Sequence, residues 1–217
     1  MERRARHGSI WKKCFPDCST KPQVEDSLWR AEDFRVSGNW RAYFELLRFP
    51  AVITAVADVM MGYLITHGEL DPWPSFLLLT TISASLYLAG MVLNDVFDAD
   101  VDALERPNRP IPSRRITHQS AVTLGVGLIV FALLLAETAV PNRTGVVAFV
   151  LAGCVMFYDT LAKHTVAGPL VMGSCRSLNV LLGMSLASLP NSETLRPWTS
   201  IELAIAVGVG AYIAAVT

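Results

Sequence analysis

Charge is scarce in this chain. Only 17% of its residues are Asp, Glu, Lys or Arg, whereas an ordinary soluble domain carries about a quarter. The deficit is uneven. Charges crowd into the first 48 residues and into the stretch after Asn94, and apolar runs fill much of the rest. An excess of positive charge is also missing. The formal net charge is −1, so nothing points to nucleic acid as a partner. Cysteine is sparse and lacks metal-binding spacing. Cys14 and Cys18 read as thiols of a polar tail, Cys154 and Cys175 as small core residues. The N-terminal MERRARHGSIWKK is basic, but no apolar segment follows it, which excludes a secretory signal.

What is present is apolar length. Hydrophobic residues make up 52% of the chain and the mean hydropathy is +0.41. Six runs, at 49–66, 75–93, 120–136, 145–161, 169–189 and 201–217, are long enough or nearly so to span a bilayer, which takes about 20 residues as a helix. The run 145–161 is short, and 169–189 contains Arg176. A bilayer offers no water to open backbone groups, so the runs are read as helices. The fold class is therefore all-α, a polytopic transmembrane helical bundle of about six spans. A polar, disordered tail over residues 1–40 is expected to precede a transmembrane domain over 41–217.

The Lys and Arg distribution orients the bundle. Residues 1–48 carry ten of the 18, the connection 94–118 carries four, and the connection 159–165 carries Lys163. The opposite connections carry only Arg143 and Arg196. The N-terminus and the stretch after Asn94 are both expected on the cytoplasmic side.

That stretch reads NDVFDADVDALERPNRPIPSRR, with four aspartates within eight residues and then four arginines within ten. If the second span continues as a helix, each residue turns about 100°. Asp95, Asp98 and Asp102 then share a stripe about 60° wide, Asn94 lies about 40° to its side, and Asp100 points away. Carboxylates this close repel in a low dielectric and need a counter-charge. A hard divalent cation supplies one, and Mg²⁺ is usually shared with substrate phosphates. Arg106, Arg109, Arg114 and Arg115 add guanidinium groups that fork onto phosphate oxygens. Prolines 107, 110 and 112 stiffen the segment and end any helix. The competing reading is two solvated loops of opposite charge. Position at a membrane edge favours a site for a Mg²⁺-chelated diphosphate.

These residues resemble the UbiA superfamily of intramembrane prenyltransferases. Asn94–Asp102 matches its first aspartate-rich motif, NDxxDxxxD, and RPNRPIPS is similar to the RPxRPLxSG segment that follows. LLRFPAVITA, with Arg48 and Pro50, resembles the family's first helix. YDTLAK resembles its Tyr…Lys element, giving Tyr158 and Lys163. GPLVMGSCRSLNVLLGMS is similar to the EboC-like branch. The resemblance covers roughly residues 41–217. It implies a bundle of about nine spans around a cavity, in which a prenyl diphosphate binds with Mg²⁺ and alkylates an acceptor whose identity stays open. It assigns Asn94, Asp95, Asp98 and Asp102 to catalysis, with the three aspartates at the metal. Arg48, Arg106, Arg109, Tyr158 and Lys163 are assigned to the substrate.

Arg176 and Asn179 lie three apart inside an apolar run, hence on one helix face. They line a substrate cavity in one reading. In the other, Arg176 snorkels or pairs with an acid. The family also carries a second aspartate motif after its sixth span, and the sequence ends within ELAIAVGVGAYIAAVT. The expectation is a piece of a longer, Mg²⁺-dependent prenyltransferase embedded in lipid. The alternatives are a non-catalytic isoprenoid-binding or transport protein and an inactive fragment.

Overall fold

The computed structural model describes residues 40–138, 143–186 and 197–216. The tail expected over 1–40, including Cys14 and Cys18, lies outside the described residues apart from Trp40. Among the described residues every regular element is helical: α1 Trp40–Leu47, α2 Val52–His67, α3 Trp73–Phe97, α4 Ala99–Glu105, α5 His118–Glu137, α6 Arg143–Thr160, α7 Gly168–Gly183 and α8 Ser200–Val216.

Local chemistry sets the ends of these helices. Gly68 closes α2 in the left-handed conformation, φ 78°, and its N–H donates to the Leu64 carbonyl at 2.8 Å. Proline stands in the first turn of both α3 and α7, where no N–H is needed. Thr117 caps α5, its hydroxyl accepting from the Ser120 N–H at 3.1 Å. Pro107 keeps Arg106 out of helical geometry and ends α4.

Helices stand at all six apolar runs. Three of them, α3, α5 and α6, are individually long and apolar enough to cross a membrane. The pair α1 and α2 passes only when taken together, with a 50° bend between them. Helix α7 has 16 residues, about 24 Å of rise, and carries the polar side chains Ser174, Arg176, Ser177 and Asn179. Helix α8 has 17 residues. The expected six spans are thus six helices of unequal length.

Helices α3 and α7 organise the bundle. The first packs against α2, α5 and α6, the second against α2, α6 and α8. Tyr63, Leu79, Ile82, Leu86, Leu151 and Leu182 fill the shared core. Val126, Phe131 and Leu134 on α5, Phe149 on α6 and Val207 on α8 point outward, as side chains facing hydrocarbon do. Helix α7 approaches α2 through glycine. A Cβ on Gly183 would run into the Val59 carbonyl, and one on Gly62 into the Val180 carbonyl. Small residues permit that backbone approach, which stands in for a hydrophobic drive inside lipid. Cys154 and Cys175 meet across α6 and α7 as free thiols, Sγ to Sγ 3.3 Å.

The substitution Gly183→Leu is expected to lower stability by about 3 kcal/mol or more through overpacking. Gly153→Ala, where an added Cβ meets nothing within 4 Å, is expected to be neutral or to stabilise by up to ~1 kcal/mol. Unfolding of both variants in detergent checks the contrast.

Candidate active site

One end of the bundle gathers the ends of α3 and α6, the beginning of α2 and the loop after α4. Helix α3 stops at Phe97 and α4 starts at Ala99, so the aspartate motif is nearly continuous helix. Asp98 is the junction, φ −89° and ψ 2°. The Asp98 N–H still donates to Asn94 O at 3.0 Å, and the Asp102 N–H to Asp98 O at 2.8 Å.

The three motif aspartates divide into two groups. Asp95 and Asp102, seven apart, share one cation. Arg109 Nη1 lies 3.0 Å from Asp95 Oδ1 and 2.5 Å from Asp102 Oδ2. Arg48 Nη2 adds a second contact to Asp95 Oδ1 at 2.7 Å. Asn94 and Asp98, four apart, face Lys163 instead. Its Nζ donates to Asp98 Oδ1 at 2.5 Å and to Asn94 Oδ1 at 3.1 Å. The spacing i to i+7 and i to i+4 explains the division, since each pair stacks on its own strip of helix. Asp95 is 4% and Asp102 5% exposed. Carboxylates so buried are tolerated only with partners.

Placing Arg48 takes an uncommon backbone. Its φ is +45°, left-handed for a residue with a Cβ, at the bend between α1 and α2. Strain of this kind persists where the surroundings over-determine it, and it clusters at functional sites. Arg109 is held by the proline-rich loop, whose Ser113 N–H bonds back to Arg109 O at 2.9 Å. Arg115 anchors that loop to α1 by forking onto Glu45 at 2.7 and 3.1 Å. Lys163 comes from the short turn Ala162–His164 after α6.

Other assigned residues lie differently. Arg106 is exposed and makes none of the ion pairs that hold these carboxylates. Tyr158 is half-buried in the last turn of α6. Arg176 pairs with Asp58 of α2, Nε to Oδ2 2.9 Å and Nη2 to Oδ1 3.0 Å. Asn179 accepts from the Ser83 hydroxyl at 2.8 Å. The pairing of Arg176 with an acid, named in the second reading, is present. Asp58, Ser83 and the buried Asp159 were missed in the sequence. A lone acid inside an apolar run was the available signal for Asp58 and Asp159.

The oxygen donors are of the hard type that Mg²⁺ takes. Among the described residues no three carboxylate, imidazole or thiol groups stand close enough to hold a metal by themselves. Asp95, Asp98 and Asp102 each already have a cation on one oxygen. One buried oxygen, Asp159 Oδ2, has no hydrogen-bond partner. The set therefore fits a metal shared with phosphate oxygens and does not fit a protein-only cage.

Removing the shared cation tests these pairs. Arg109→Met leaves Asp102 buried without its counter-charge and is expected to cost about 3 kcal/mol. The added change Asp102→Asn should recover most of that loss, while Arg106→Met should stay within ~0.5 kcal/mol. A double-mutant cycle in detergent unfolding reads all three.

Known proteins resemble this chain in sequence and in fold. The profile of the UbiA prenyltransferase family matches residues 55–216. Digeranylgeranylglyceryl phosphate synthase of Sulfurisphaera tokodaii is 32% identical over 159 residues, 72% of this chain and 56% of that protein. Protoheme IX farnesyltransferase of Sinorhizobium fredii is 29% identical over 136 residues, 61% of this chain and 42% of that protein. The chain spans about half the length of the curated relatives it matches. A solved structure of digeranylgeranylglyceryl phosphate synthase superposes with a TM-score of 0.68 at 24% identity, covering 81% of this chain and 60% of that one. A UbiA homologue from Archaeoglobus fulgidus, bound to DMAPP and Mg²⁺, superposes with a TM-score of 0.64 at 14% identity, covering 79% and 60%. Profile and fold together establish that this chain belongs to the UbiA prenyltransferase family.

Proposed function

We propose that this chain carries the diphosphate-binding part of a membrane prenyltransferase, which moves a prenyl group from a prenyl diphosphate to an acceptor. The observation that carries the reading is the convergence of Arg48, Arg109 and Lys163 on Asp95, Asp98 and Asp102 at one end of the bundle. The names of the relatives support it. The prenyl diphosphate, the unnamed acceptor and the Mg²⁺ belong to this proposal, as does the cytoplasmic placement of the cluster and the N-terminus. So does the EboC-like branch, for which the α7 segment is the support.

The chemistry follows from the residues. Arg48, Arg109 and Lys163 are the cations that would bind diphosphate oxygens, exchanging a carboxylate partner for a phosphate. Asp95, Asp98 and Asp102, with Asn94, would hold Mg²⁺ through the oxygens so released. When bound, Mg²⁺ supplies charge neutralisation for the departing diphosphate. The allylic C–O bond breaks, the electron pair leaves with the diphosphate, and the acceptor donates a pair to the allylic carbon and loses a proton. Guanidinium and ammonium groups fixed near the leaving oxygens favour that transition state. Apolar helix faces keep water from the carbon. Arg176 and Asn179 enter as groups that shape the interior beside α2.

Diphosphate release from allylic diphosphates by the protein in lipid vesicles tests the reading. Asp95→Asn and Asp98→Asn are each expected to lower release at least 100-fold, with the protein still membrane-inserted. Chelation of Mg²⁺ should abolish release, and re-addition should restore it. Tight binding of the diphosphate without any release would instead support an isoprenoid-binding or transport role. Unchanged release in either variant would remove these aspartates from the mechanism.

A further inference from the structure

The carboxylates at this end of the bundle outnumber the cations paired with them. Asp95, Asp98 and Asp102 are held by Arg48, Arg109 and Lys163. A fourth carboxylate, Asp159, stands on the last turn of α6 and is only 4% exposed. Its Oδ2 is buried and has no hydrogen-bond partner. The charges that act on it are Lys163, Asp98 and Asp95. Its Oδ2 lies on the side of α3, the helix that carries the motif. The wall on the α3 side is bare backbone, because a Cβ on Gly90 would come within 3.8 Å of that same Oδ2. Gly90 lies one turn before Asn94 on α3. Lys163 donates to Asn94 and Asp98, which leaves the Asp159 oxygen without a donor.

A buried, unpaired carboxylate oxygen is rare, and its natural complement is a cation. We infer that Asp159 is a further ligand of the divalent cation that accompanies the diphosphate, contributed by α6 across from the aspartate motif. The inference rests on the prenyl diphosphate reading above. Asp159 Oδ2 is a hard anionic donor already stripped of water and lying against α3 at Gly90, one turn before Asn94, and such a donor is what a partly hydrated Mg²⁺ takes from a protein. Its position gives the site a second wall. The motif helix supplies oxygens from one side and α6 supplies one from the other, so the cation is fixed between two elements rather than held on one face. The same residue explains why Lys163 is needed where it stands. Without that ammonium, the charges of Asp98 and Asp159 would repel with less compensation when no cation is bound.

Cation binding separates this role from a structural one without any turnover. Mn²⁺ replaces Mg²⁺, and a non-reactive prenyl thiodiphosphate serves as the ligand, with the protein in lipid nanodiscs and free Mn²⁺ read by electron paramagnetic resonance. Asp159→Asn is expected to weaken diphosphate-dependent Mn²⁺ binding at least tenfold. With no cation present its thermal stability should be unchanged or higher, because an uncompensated charge has been removed. Asp95→Asn is the comparison. If it loses Mn²⁺ while Asp159→Asn stays within twofold of the parent, the motif site stands and the role of Asp159 is overturned. If the parent itself retains no Mn²⁺ with the diphosphate, both readings fall. A cation-free Asp159→Asn that is clearly less stable would make the residue a structural partner of Lys163. A second measurement needs no variant. Fe²⁺ loaded with the same ligand and treated with ascorbate and peroxide should cleave the parent chain both near Asp98 and near Asp159. Cleavage confined to the motif helix would overturn the inference.

Discussion

A carboxylate removed from water and left without a counter-charge is among the most costly groups a folded protein can hold. Asp95 and Asp102 are buried at the end of a bundle whose outer faces are apolar. Much of the local structure follows from satisfying them. Arg48 arrives from the bend between α1 and α2 and adopts a left-handed backbone to do so. Arg109 arrives from a loop whose prolines and back-bonded turns hold it against α3 and α4. Lys163 arrives from the turn after α6. Segments far apart in sequence are thereby drawn to one point. The cluster is also incomplete, with one buried carboxylate oxygen left over. Fully satisfied networks stabilise a fold, whereas a charge imbalance held in place by the fold is what a ligand-binding site requires.

The pair formed by Asp58 and Arg176 makes a useful contrast. It matches one acid with one base between α2 and α7, beside the glycine contacts at Gly62 and Gly183. The backbones lie close enough there for a charged pair to be enclosed. A pair of this sort adds little net stability over apolar packing, but it disfavours other registers of the two helices. Similar side chains thus serve two ends. One pair closes on itself within the bundle, and the other cluster stays open toward its end.

Much of this was legible in the sequence because membrane folds write their plan in apolar length and charge position. All six apolar runs became helices, and Asn94–Asp102 stayed nearly continuous helix across Asp98, although its aspartates divide between two sets of cations instead of sharing one stripe. That division into two pairs was implicit in the spacing of four and of seven. Long-range partners were not legible. Nothing local distinguishes Arg106 from Arg109, yet only Arg109 turns inward. The reason is where α4 stops and how the loop bonds back on itself. Asp159 sits next to Tyr158 in YDTLAK, about 100° further round the helix. That turn carries it toward α3 and leaves Tyr158 half-buried. Asp58 was a lone acid in an apolar run, and the rule applied to Arg176 applied to it equally. The span count was the least readable feature, since α7 is shorter than hydropathy alone suggests.

The ion pairs seen here define the site before a diphosphate arrives, and the account holds that the same cations turn from carboxylate to phosphate when it does. A structure of the protein in lipid with Mg²⁺ and a non-reactive prenyl diphosphate tests this most directly. The account predicts nitrogen atoms of Arg48, Arg109 and Lys163 within hydrogen-bond distance of diphosphate oxygens, with the Arg109 bridge between Asp95 and Asp102 opened. A diphosphate bound elsewhere, with that bridge and the Lys163–Asp98 pair intact, would contradict it.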